Sequence, residues 1–324
     1  MHAIVQREFG GPEVLVYEQL PDLDPQAGQV RIAVNASGVH LLDTSIRNGT
    51  SFGAMPRPEL PMVPGREVAG VVDRVGPGVD TQWLGKRVAV HLGMASGGYA
   101  DQALAAVDSL HELTAGLGFD AAVAAIGTGR TAAGILDQLT LGAEDTVLIP
   151  SAAGGLGILL VQAARNAGAT VIGLAGGPAK AAHALKAGAG VVVDYRVRGW
   201  QQQLRKLGRP TVVYDGVGGE VGRLAFELLA DGGTQLVFGW SSGEENAYRH
   251  EGKTAVTVLG PALTARAGGL RSLEAEALQR AADGTRIPLT DTRFPLSQAA
   301  AAHRALQARE SFGKVVLLAD GTHP

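Results

Sequence analysis

The segment from Ala152 to Gly157 combines residue types and a spacing that could hold phosphate groups. It reads Ala-x-Gly-x-x-Gly and lies between a β-type run at Thr146 to Ile149 and a helical run at Ile158 to Asn166. Small residues at these three places allow a tight turn, let the backbone approach a pyrophosphate and let the helix pack against the strand. The positive end of the helix then faces the phosphates. The pattern predicts a dinucleotide site whose turn residues are Gly154, Gly155, Leu156 and Gly157.

The next strand and helix indicate which dinucleotide binds. An NAD enzyme places Asp or Glu roughly 20 residues further on, against the ribose 2′-hydroxyl, whereas no acidic residue occurs between Gly157 and Asp194. The strand Thr170 to Leu174 leads instead into a glycine turn with Gly176, and Lys180 follows at the start of a helix. A cation in place of a carboxylate suits a 2′-phosphate, so NADPH is favoured. The alternative is that Lys180 is a solvated helix charge.

The elements around this turn predict two domains. Residues 122–264 alternate helix and strand, which predicts a parallel, doubly wound Rossmann sheet. Residues 1–121 contain short β-type runs, such as Val30 to Val34, separated by Gly and Pro turns, which predicts an antiparallel β domain. Residues 265–324 include the strand Lys314 to Leu318, which has no βαβ partner and is expected to return to the first domain. The α/β domain would then be inserted between two parts of the β domain.

The composition excludes several classes of function. With 28 basic and 31 acidic side chains among 324 residues the formal net charge is −3, so there is no electrostatic footprint for nucleic acid or an acidic membrane. The absence of cysteine removes disulfides, iron–sulfur clusters and thiolate nucleophiles. Charged and polar residues at the start of the sequence leave no room for the apolar centre of a signal peptide. We therefore expect a cytoplasmic enzyme that acts on small molecules.

Several motifs occur together in one order along the chain. They are Gly10-Gly11-Pro12-Glu13, Asp43-Thr44, Pro64-Gly65-x-Glu67, the Ala152 to Gly157 turn, Tyr214-Asp215-x-Val217-Gly218, Phe238-Gly239-x-Ser241-Ser242 and Gly313-Lys314-Val315-Val316. In these motifs the chain resembles, over essentially its whole length, the zinc-independent quinone oxidoreductase branch of the medium-chain dehydrogenase/reductases. The resemblance implies an α/β fold in which a GroES-like antiparallel β domain contains an inserted Rossmann domain. It also implies NADPH-dependent hydride transfer to a quinone or an α,β-unsaturated carbonyl.

The resemblance further implies which residues contact the cofactor. Lys180 and Tyr195 match the contacts to the 2′-phosphate and the adenosine, and Arg309 matches a further contact from the C-terminal segment. The other residues expected to line the dinucleotide or to lie near the nicotinamide are Leu41, Asp43, Thr131, Gly176, Val217, Ser241, Ser242 and Leu263.

His40 is the candidate acid catalyst, and Asp43 is predicted to act beside it. Metal-dependent relatives have their first catalytic zinc ligand at the position of His40 and their second at the position of Arg66, whose guanidinium cannot coordinate a metal. A catalytic zinc needs about three protein ligands, so no metal site is predicted. The chain has no tyrosine between Tyr17 and Tyr99 to serve as a proton donor, and histidine is the side chain suited to acid catalysis near neutral pH. A hydrogen-bonded structural role for His40 is the alternative.

Other functions stay open at the level of sequence. Gly239-x-Ser241-x-Gly243 satisfies a hydrolase nucleophile pattern, but the polar residues after it do not predict the helix that a nucleophile elbow requires. An enoyl-thioester reductase of the same family, or an NADPH-binding sensor or scaffold, would share the cofactor motifs. The β run Ala255 to Leu259 is predicted to close the parallel sheet and to leave an exposed edge in a monomer. Proteins of the family that the chain resembles pair such edges across a two-fold axis, so the resemblance implies a homodimer.

Overall fold

The chain folds into two units, one inserted into the other. The computed structural model describes residues 1–50, 57–93, 96–258, 260–264 and 266–320. One compact unit consists of Met1–Gly127 and the segment that begins at Leu289, and the other consists of Thr128–Pro288. The first unit is therefore built from two parts of the chain, as the sequence predicts.

Strands and helices of the described residues are numbered in chain order. The strands are β1 (His2–Gln6), β2 (Leu15–Gln19), β3 (Gln29–Val39), β4 (Glu67–Val75), β5 (Arg87–His91), β6 (Gln102–Ala106), β7 (His111–Glu112), β8 (Thr146–Ile149), β9 (Thr170–Ala175), β10 (Val191–Asp194), β11 (Val212–Asp215), β12 (Thr234–Val237), β13 (Thr254–Thr257), β14 (Thr292–Pro295) and β15 (Val315–Leu318). The α-helices are α1 (Leu41–Arg47), α2 (Phe119–Ala124), α3 (Arg130–Leu136), α4 (Gly155–Asn166), α5 (Pro178–Ala187), α6 (Trp200–Arg205), α7 (Gly219–Leu228), α8 (Gly269–Ala282) and α9 (Ala299–Gln307).

The first unit is organised around the long strand β3. The strand order of its main sheet is β14-β15-β3-β4-β5-β7, and β6 also pairs with β3. Side chains of β3 alternate between the two faces, so Val30, Ile32 and Val34 are buried in one apolar cluster. Strand β15 pairs with β3 in antiparallel register, with Val315 opposite Val39. The prediction that the C-terminal strand returns to this domain is therefore confirmed.

The second unit contains a parallel sheet with helices packed on it. The strand order is β10-β9-β8-β11-β12-β13, and every neighbouring pair is parallel. The order reverses between β8 and β11, which is the point where open α/β sheets bind ligands at the carboxyl ends of their strands. Buried side chains of β8, such as Val147 and Ile149, pack in one cluster with Leu160 of α4. The predicted doubly wound sheet is confirmed.

Helix α5 shows how local sequence sets the bounds of an element. It begins at Pro178, whose restricted φ suits the first turn of a helix. It ends before Gly188, whose φ of +119° lies in the left-handed region that favours glycine. Both ends lie where the proline and the glycine predict them.

Helix α8 belongs to the second unit, although the sequence predicts that residues 265–324 belong to the first. Its buried face carries Leu273 and Glu274, and the Glu274 carboxylate accepts a hydrogen bond from Arg130 of α3 at 2.6 Å. The sequence does not predict this packing, because a helix that follows the last strand of a βαβ series has no pattern that assigns it to one unit. Within the described ranges, no helix combines the length and apolar character needed to cross a lipid bilayer.

Candidate active site

The phosphate turn lies at the carboxyl end of β8, where the sheet order reverses. The Ala152 amide donates to the carbonyl of Leu174 at the end of β9, at 3.1 Å, and Gly154 has extended backbone just before α4 begins. A Cβ added to Gly157 would overlap the carbonyl oxygen of Ser151. Helix α4 therefore starts closer to the turn than any residue other than glycine at position 157 would permit. This is the close approach that a dinucleotide turn requires.

The carboxyl ends of β9 and β10 carry the residues expected to hold the adenosine end of the cofactor. Lys180 is half-buried in the first turn of α5, and Tyr195 follows β10 directly. A Cβ added to Gly176 would lie 2.5 Å from the Tyr195 hydroxyl, so this glycine makes room for the tyrosine. The structure brings Gly176 and Tyr195 together at one edge of the sheet, on adjacent strands.

Two further loops meet at the carboxyl ends of β11 and β12. The buried Asp215 carboxylate accepts hydrogen bonds from the amides of Val217 and Gly218, at 2.9 and 3.0 Å. The Ser242 amide donates to the Val217 carbonyl at 2.9 Å, and the Ser241 amide donates to the preceding loop at 3.1 Å. Val217, Ser241 and Ser242 are thereby brought together. No helix begins in residues 241–253, so the loop lacks the helix that a hydrolase nucleophile elbow needs.

The other predicted residues of the second unit lie on α3 and beside it. Thr131 is half-buried in the first turn of α3. Leu263 lies in a short 3-10 turn, and a Cβ added to Gly134 of α3 would lie 2.5 Å from its Cδ1. Leu263 therefore packs on α3 as part of the apolar core of this unit. Its role as a cofactor contact stays a prediction.

In the first unit, His40 lies at the junction of β3 and α1 beside two buried charged groups. Its Nε2 contacts Oε1 of Glu67 and lies 2.7 Å from Nζ of Lys314. The Lys314 ammonium is also 3.0 Å from Oε2 of Glu67. Glu67 is fully buried and Lys314 is only 4% exposed, whereas the His40 side chain keeps 27% of its exposure. Of the three groups, the imidazole is the one that solvent or a small molecule can reach.

Glycines on both sides make room for the Glu67 carboxylate. A Cβ added to Gly38 would overlap Oε2 of Glu67 and lie 3.2 Å from Nζ of Lys314. A Cβ added to Gly127 would overlap the carboxylate from the other side. The backbone therefore closes around the Glu67 side chain, and a buried carboxylate in such a place must have a charged partner.

The charges of this cluster depend on one another. Burial by itself raises the pKa of Glu67, but the nearby His40 and Lys314 charges outweigh it and hold the pKa well below its ordinary value. Burial lowers the pKa of Lys314, and the Glu67 carboxylate offsets part of that effect. Glu67 is therefore a carboxylate across the neutral range, and it holds Lys314 beside the imidazole.

Asp43 is buried, and protein groups surround its carboxylate. Its Oδ2 accepts the His40 backbone amide at 2.8 Å and the Tyr99 hydroxyl at 3.1 Å, and its Oδ1 lies 3.7 Å from the Arg66 guanidinium. The side chain therefore holds the start of α1 and the backbone of His40. Leu41 follows with 43% exposure. A direct catalytic role for Asp43 stays a prediction.

A buried hydrogen-bonded chain continues from Asp43 into helix α9. Arg47 Nη1 lies 3.1 Å from Nδ1 of His303, and because arginine can only donate, this ring nitrogen must accept. The His303 Nε2 then carries the hydrogen and donates to the Tyr99 oxygen at 3.2 Å. Tyr99 is left to donate its own hydrogen to Asp43. The neutral imidazole fits this chain, since burial lowers the pKa of His303 to about 4.

Arg309 follows α9 in the first unit and departs from regular backbone. Its φ of 57° makes it the left-handed residue that ends the helix, and its side chain is exposed. The structure thus places this cation at a helix end on the surface of its unit. Its contact with the cofactor stays a prediction.

The residues at the positions of zinc ligands do not form a metal-binding set. Among the described residues, no group of three or more His, Cys, Asp and Glu side chains is arranged to hold a metal ion. Arg66 stands at one ligand position, and the ammonium of Lys314 lies against the ring nitrogen of His40. Neither a guanidinium nor an ammonium can coordinate a metal, so this set of side chains does not fit zinc.

Glu67 and Lys314 are functional candidates that sequence reasoning missed. Both occur in motifs that carried the resemblance, but they are separated by most of the chain, and no local spacing brings either of them to His40. The available signal is that oppositely charged residues precede two apolar runs, Val68 to Val72 and Val315 to Leu318, since such charges are buried only when paired.

Comparisons with known proteins place the chain in a family. Residues 26–148 match the alcohol dehydrogenase GroES-like domain, and residues 155–279 match the zinc-binding dehydrogenase domain. Quinone oxidoreductase 1 of Escherichia coli strain K12 is 31% identical, over 96% of this chain and 97% of that protein. The chain belongs to the medium-chain dehydrogenase/reductase family. The resemblance noted in the sequence, including the GroES-like domain, is confirmed.

Other members of the family are similar over the same length. A 2-haloacrylate reductase from Burkholderia sp is 32% identical, with 98% of both chains covered. A quinone oxidoreductase from Pseudomonas aeruginosa is 33% identical, over 96% of this chain and 97% of that protein. Among solved structures, Escherichia coli quinone oxidoreductase in complex with NADPH has a TM-score of 0.84 at 29% identity, covering 98% of this chain and 100% of that one.

Proposed function

We propose that this member of the family is an NADPH-dependent oxidoreductase that transfers hydride to a quinone or an α,β-unsaturated carbonyl without a metal ion. The observation that carries the proposal is that Arg66 stands at one zinc-ligand position and that the Lys314 ammonium lies 2.7 Å from Nε2 of His40, which stands at another. Hydride transfer to a simple ketone builds alkoxide charge that needs strong electrophilic help. A conjugated acceptor spreads that charge itself and needs orientation and one modest hydrogen-bond donor.

The second unit supplies the groups that fit the cofactor. The turn at Gly154 and Gly157 would take the pyrophosphate, and Lys180 would take the 2′-phosphate. NADPH supplies the hydride when bound, and the residues of this unit bind and orient it. The relatives whose solved structures contain NADPH support this assignment.

His40 is the proposed donor to the acceptor oxygen. Its Nε2 contacts both Glu67 and Lys314, so the imidazole has a defined position without being fully buried. As negative charge develops on the acceptor oxygen, a hydrogen bond or a proton from the imidazole stabilises it. Asp43 is proposed to support this step by holding the backbone of His40.

The names of the similar proteins favour a conjugated acceptor. Quinones and 2-haloacrylates both contain a carbon–carbon double bond in conjugation with a carbonyl group, and the relatives act on these two classes by name. An enoyl-thioester reductase is the alternative acceptor class, since an enoyl thioester has the same conjugation. A sensor or scaffold that binds NADPH without turnover is the alternative that lacks chemistry.

The deciding experiment follows NADPH oxidation with quinones, enals, enones and enoyl thioesters as acceptors, before and after treatment with a chelator. We expect steady turnover with one conjugated class and no loss of activity after chelation. The His40→Ala variant should turn over more slowly while binding NADPH nearly as tightly as the parent protein. Binding without turnover would favour the scaffold, and zinc-dependent oxidation of a simple alcohol, faster than any of these reductions, would contradict the proposal.

We propose further that the protein acts on small molecules, as a homodimer in the cytoplasm. Strand β13 supports the homodimer, because it ends the parallel sheet of the described residues. The formal net charge of −3 supports small molecules, rather than nucleic acid or an acidic membrane, as partners.

A further inference from the structure

The glycine turn after β9 is tied to the end of β10 by one carboxylate. Oδ1 of Asp194 accepts the Gly177 amide at 3.0 Å and the Arg196 amide at 2.9 Å. The Tyr195 amide also donates to the carbonyl at the end of β9, at 3.2 Å. The two residues that follow β10 and the two glycines that follow β9 are therefore held side by side, although about 20 positions separate them in the sequence.

The side chains of Tyr195 and Arg196 both turn toward the glycines. A Cβ added to Gly176 would lie 2.5 Å from the Tyr195 hydroxyl. A Cβ added to Gly177 would lie 3.3 Å from Nη1 of Arg196. Gly177 has a φ of +95°, in the left-handed region that favours glycine, and it immediately precedes α5. The guanidinium of Arg196 thus lies over the start of the helix that carries Lys180.

This arrangement provides two cations for one anionic group. Lys180 lies in the first turn of α5, and Arg196 reaches the same turn from the neighbouring strand. A guanidinium can donate two parallel hydrogen bonds to phosphate oxygens, which a lysine cannot do. The Asp194 carboxylate lies nearby, but two backbone amides already donate to its Oδ1 and reduce its repulsion of an anion.

We propose that Arg196 is a specificity-determining residue that contacts the 2′-phosphate of NADPH together with Lys180. The inference rests on the proposed use of NADPH and adds a residue to which the sequence motifs assign no role. Arg196 lies in the turn after β10, whereas Lys180 lies in helix α5, so only the fold brings the two cations together.

The test measures dissociation constants of NADPH, NADH and 2′,5′-ADP for Arg196→Ala and for Arg198→Ala. Arg198 is also exposed and lies in the same turn between β10 and α6, so its variant has the same change in net charge. We expect Arg196→Ala to bind NADPH and 2′,5′-ADP about tenfold more weakly. NADH should stay within about twofold of its value in the parent protein, and Arg198→Ala should stay within about twofold for all three ligands.

Three results would overturn the inference, and they differ from one another. Unchanged NADPH affinity in Arg196→Ala would show that the guanidinium does not contact the phosphate. Equal losses for NADPH and NADH would show that the residue only maintains the turn. If the unsubstituted protein already binds both cofactors equally, the proposed use of NADPH fails first, and this is visible before any variant is made.

Discussion

Lys314 and Glu67 form a buried ion pair whose value depends on both members being present. The ammonium lies 3.0 Å from Oε2 of the carboxylate, and both side chains are almost completely excluded from solvent. Removing one partner of such a pair leaves a buried charge without compensation, whereas removing both replaces the pair by neutral groups of similar size. A comparison of a single with a double variant can therefore separate the effect of the ion pair on the stability of the protein from its effect on the position of His40.

We predict that Lys314→Met loses about 3–5 kcal/mol of unfolding free energy and that Glu67→Gln with Lys314→Met recovers most of it. Turnover with a conjugated acceptor should stay at least about tenfold low in the double variant, since the imidazole has lost both charged neighbours. Denaturant unfolding and kcat are the two measurements.

The exposed pair of Lys86 and Glu112 provides the control for this comparison. Its atoms are 2.7 Å apart, but both side chains are accessible to solvent, so Lys86→Met should change stability by less than about 1 kcal/mol. If the double variant of Glu67 and Lys314 recovers both stability and kcat, the pair does not position His40 and has only a structural role.

His303 links stability to pH, because the folded chain keeps it neutral. Burial lowers its pKa from 6.5 to about 4. Between these values the unfolded chain binds a proton that the folded chain does not bind, so the free energy of unfolding decreases as the pH falls through this window. The shift corresponds to stability on the order of 3 kcal/mol, which is present above pH 6.5 and lost by about pH 4.

We predict that His303→Gln removes this part of the pH dependence. The variant should be less stable than the parent at pH 7, because the chain from Arg47 to Tyr99 is disturbed, and the difference should become smaller toward pH 4. Denaturant unfolding at several pH values measures both curves, with the exposed His250→Gln as a control. If the unfolding free energies of parent and variant run parallel from pH 7 to pH 4, His303 does not cause the loss of stability at low pH.

At the scale of elements, the phosphate turn depends on the approach of α4 to the end of β8. A methyl group at Gly157 would meet the backbone carbonyl of Ser151, which cannot rotate away as a side chain could. The start of α4 would have to move, and with it the amides that are proposed to face the pyrophosphate.

We predict that Gly157→Ala weakens NADPH binding at least about tenfold and destabilises the protein by about 1–3 kcal/mol. Gly116→Ala is a suitable control, since a Cβ added there meets nothing within 4 Å. Calorimetric titration with NADPH and thermal unfolding measure the two effects. NADPH affinity equal to that of the parent would exclude this turn as the pyrophosphate site.

The sequence predicts elements well where local chemistry determines them and poorly where distant contacts do. Thr146 to Ile149 is found as predicted, and α5 lies between its proline and its glycine. Strand β14 forms by pairing in parallel with β15, a contact between segments that are about 20 residues apart in the sequence. The buried partners of His40 could not be predicted for the same reason, since the topology alone brings Glu67 and Lys314 to its ring.

At the scale of the whole molecule, β13 is the element with consequences beyond one chain. It is the last strand of the parallel sheet, and all its residues are exposed, with Val256 at 37%. Strand Thr254–Thr257 begins one residue before the predicted β run and covers its first three residues, whereas Leu259 of the run lies outside the described residues. A hydrogen-bonding edge without charge on its side chains is suited to pairing with another strand, because nothing on it opposes the approach of a second backbone.

We predict that two copies pair along β13, which would join their parallel sheets into one continuous sheet across a two-fold axis. Light scattering at micromolar concentration should give twice the mass of one 33.3 kDa chain. Val256→Lys should shift the protein to the monomer, because a charged side chain on the edge opposes pairing. Val197→Lys makes the same change at a valine that is 55% exposed in the turn after β10 and should leave the dimer intact. A monomeric mass for the unsubstituted chain would contradict the dimer, and equal dissociation of both variants would place the contact away from β13.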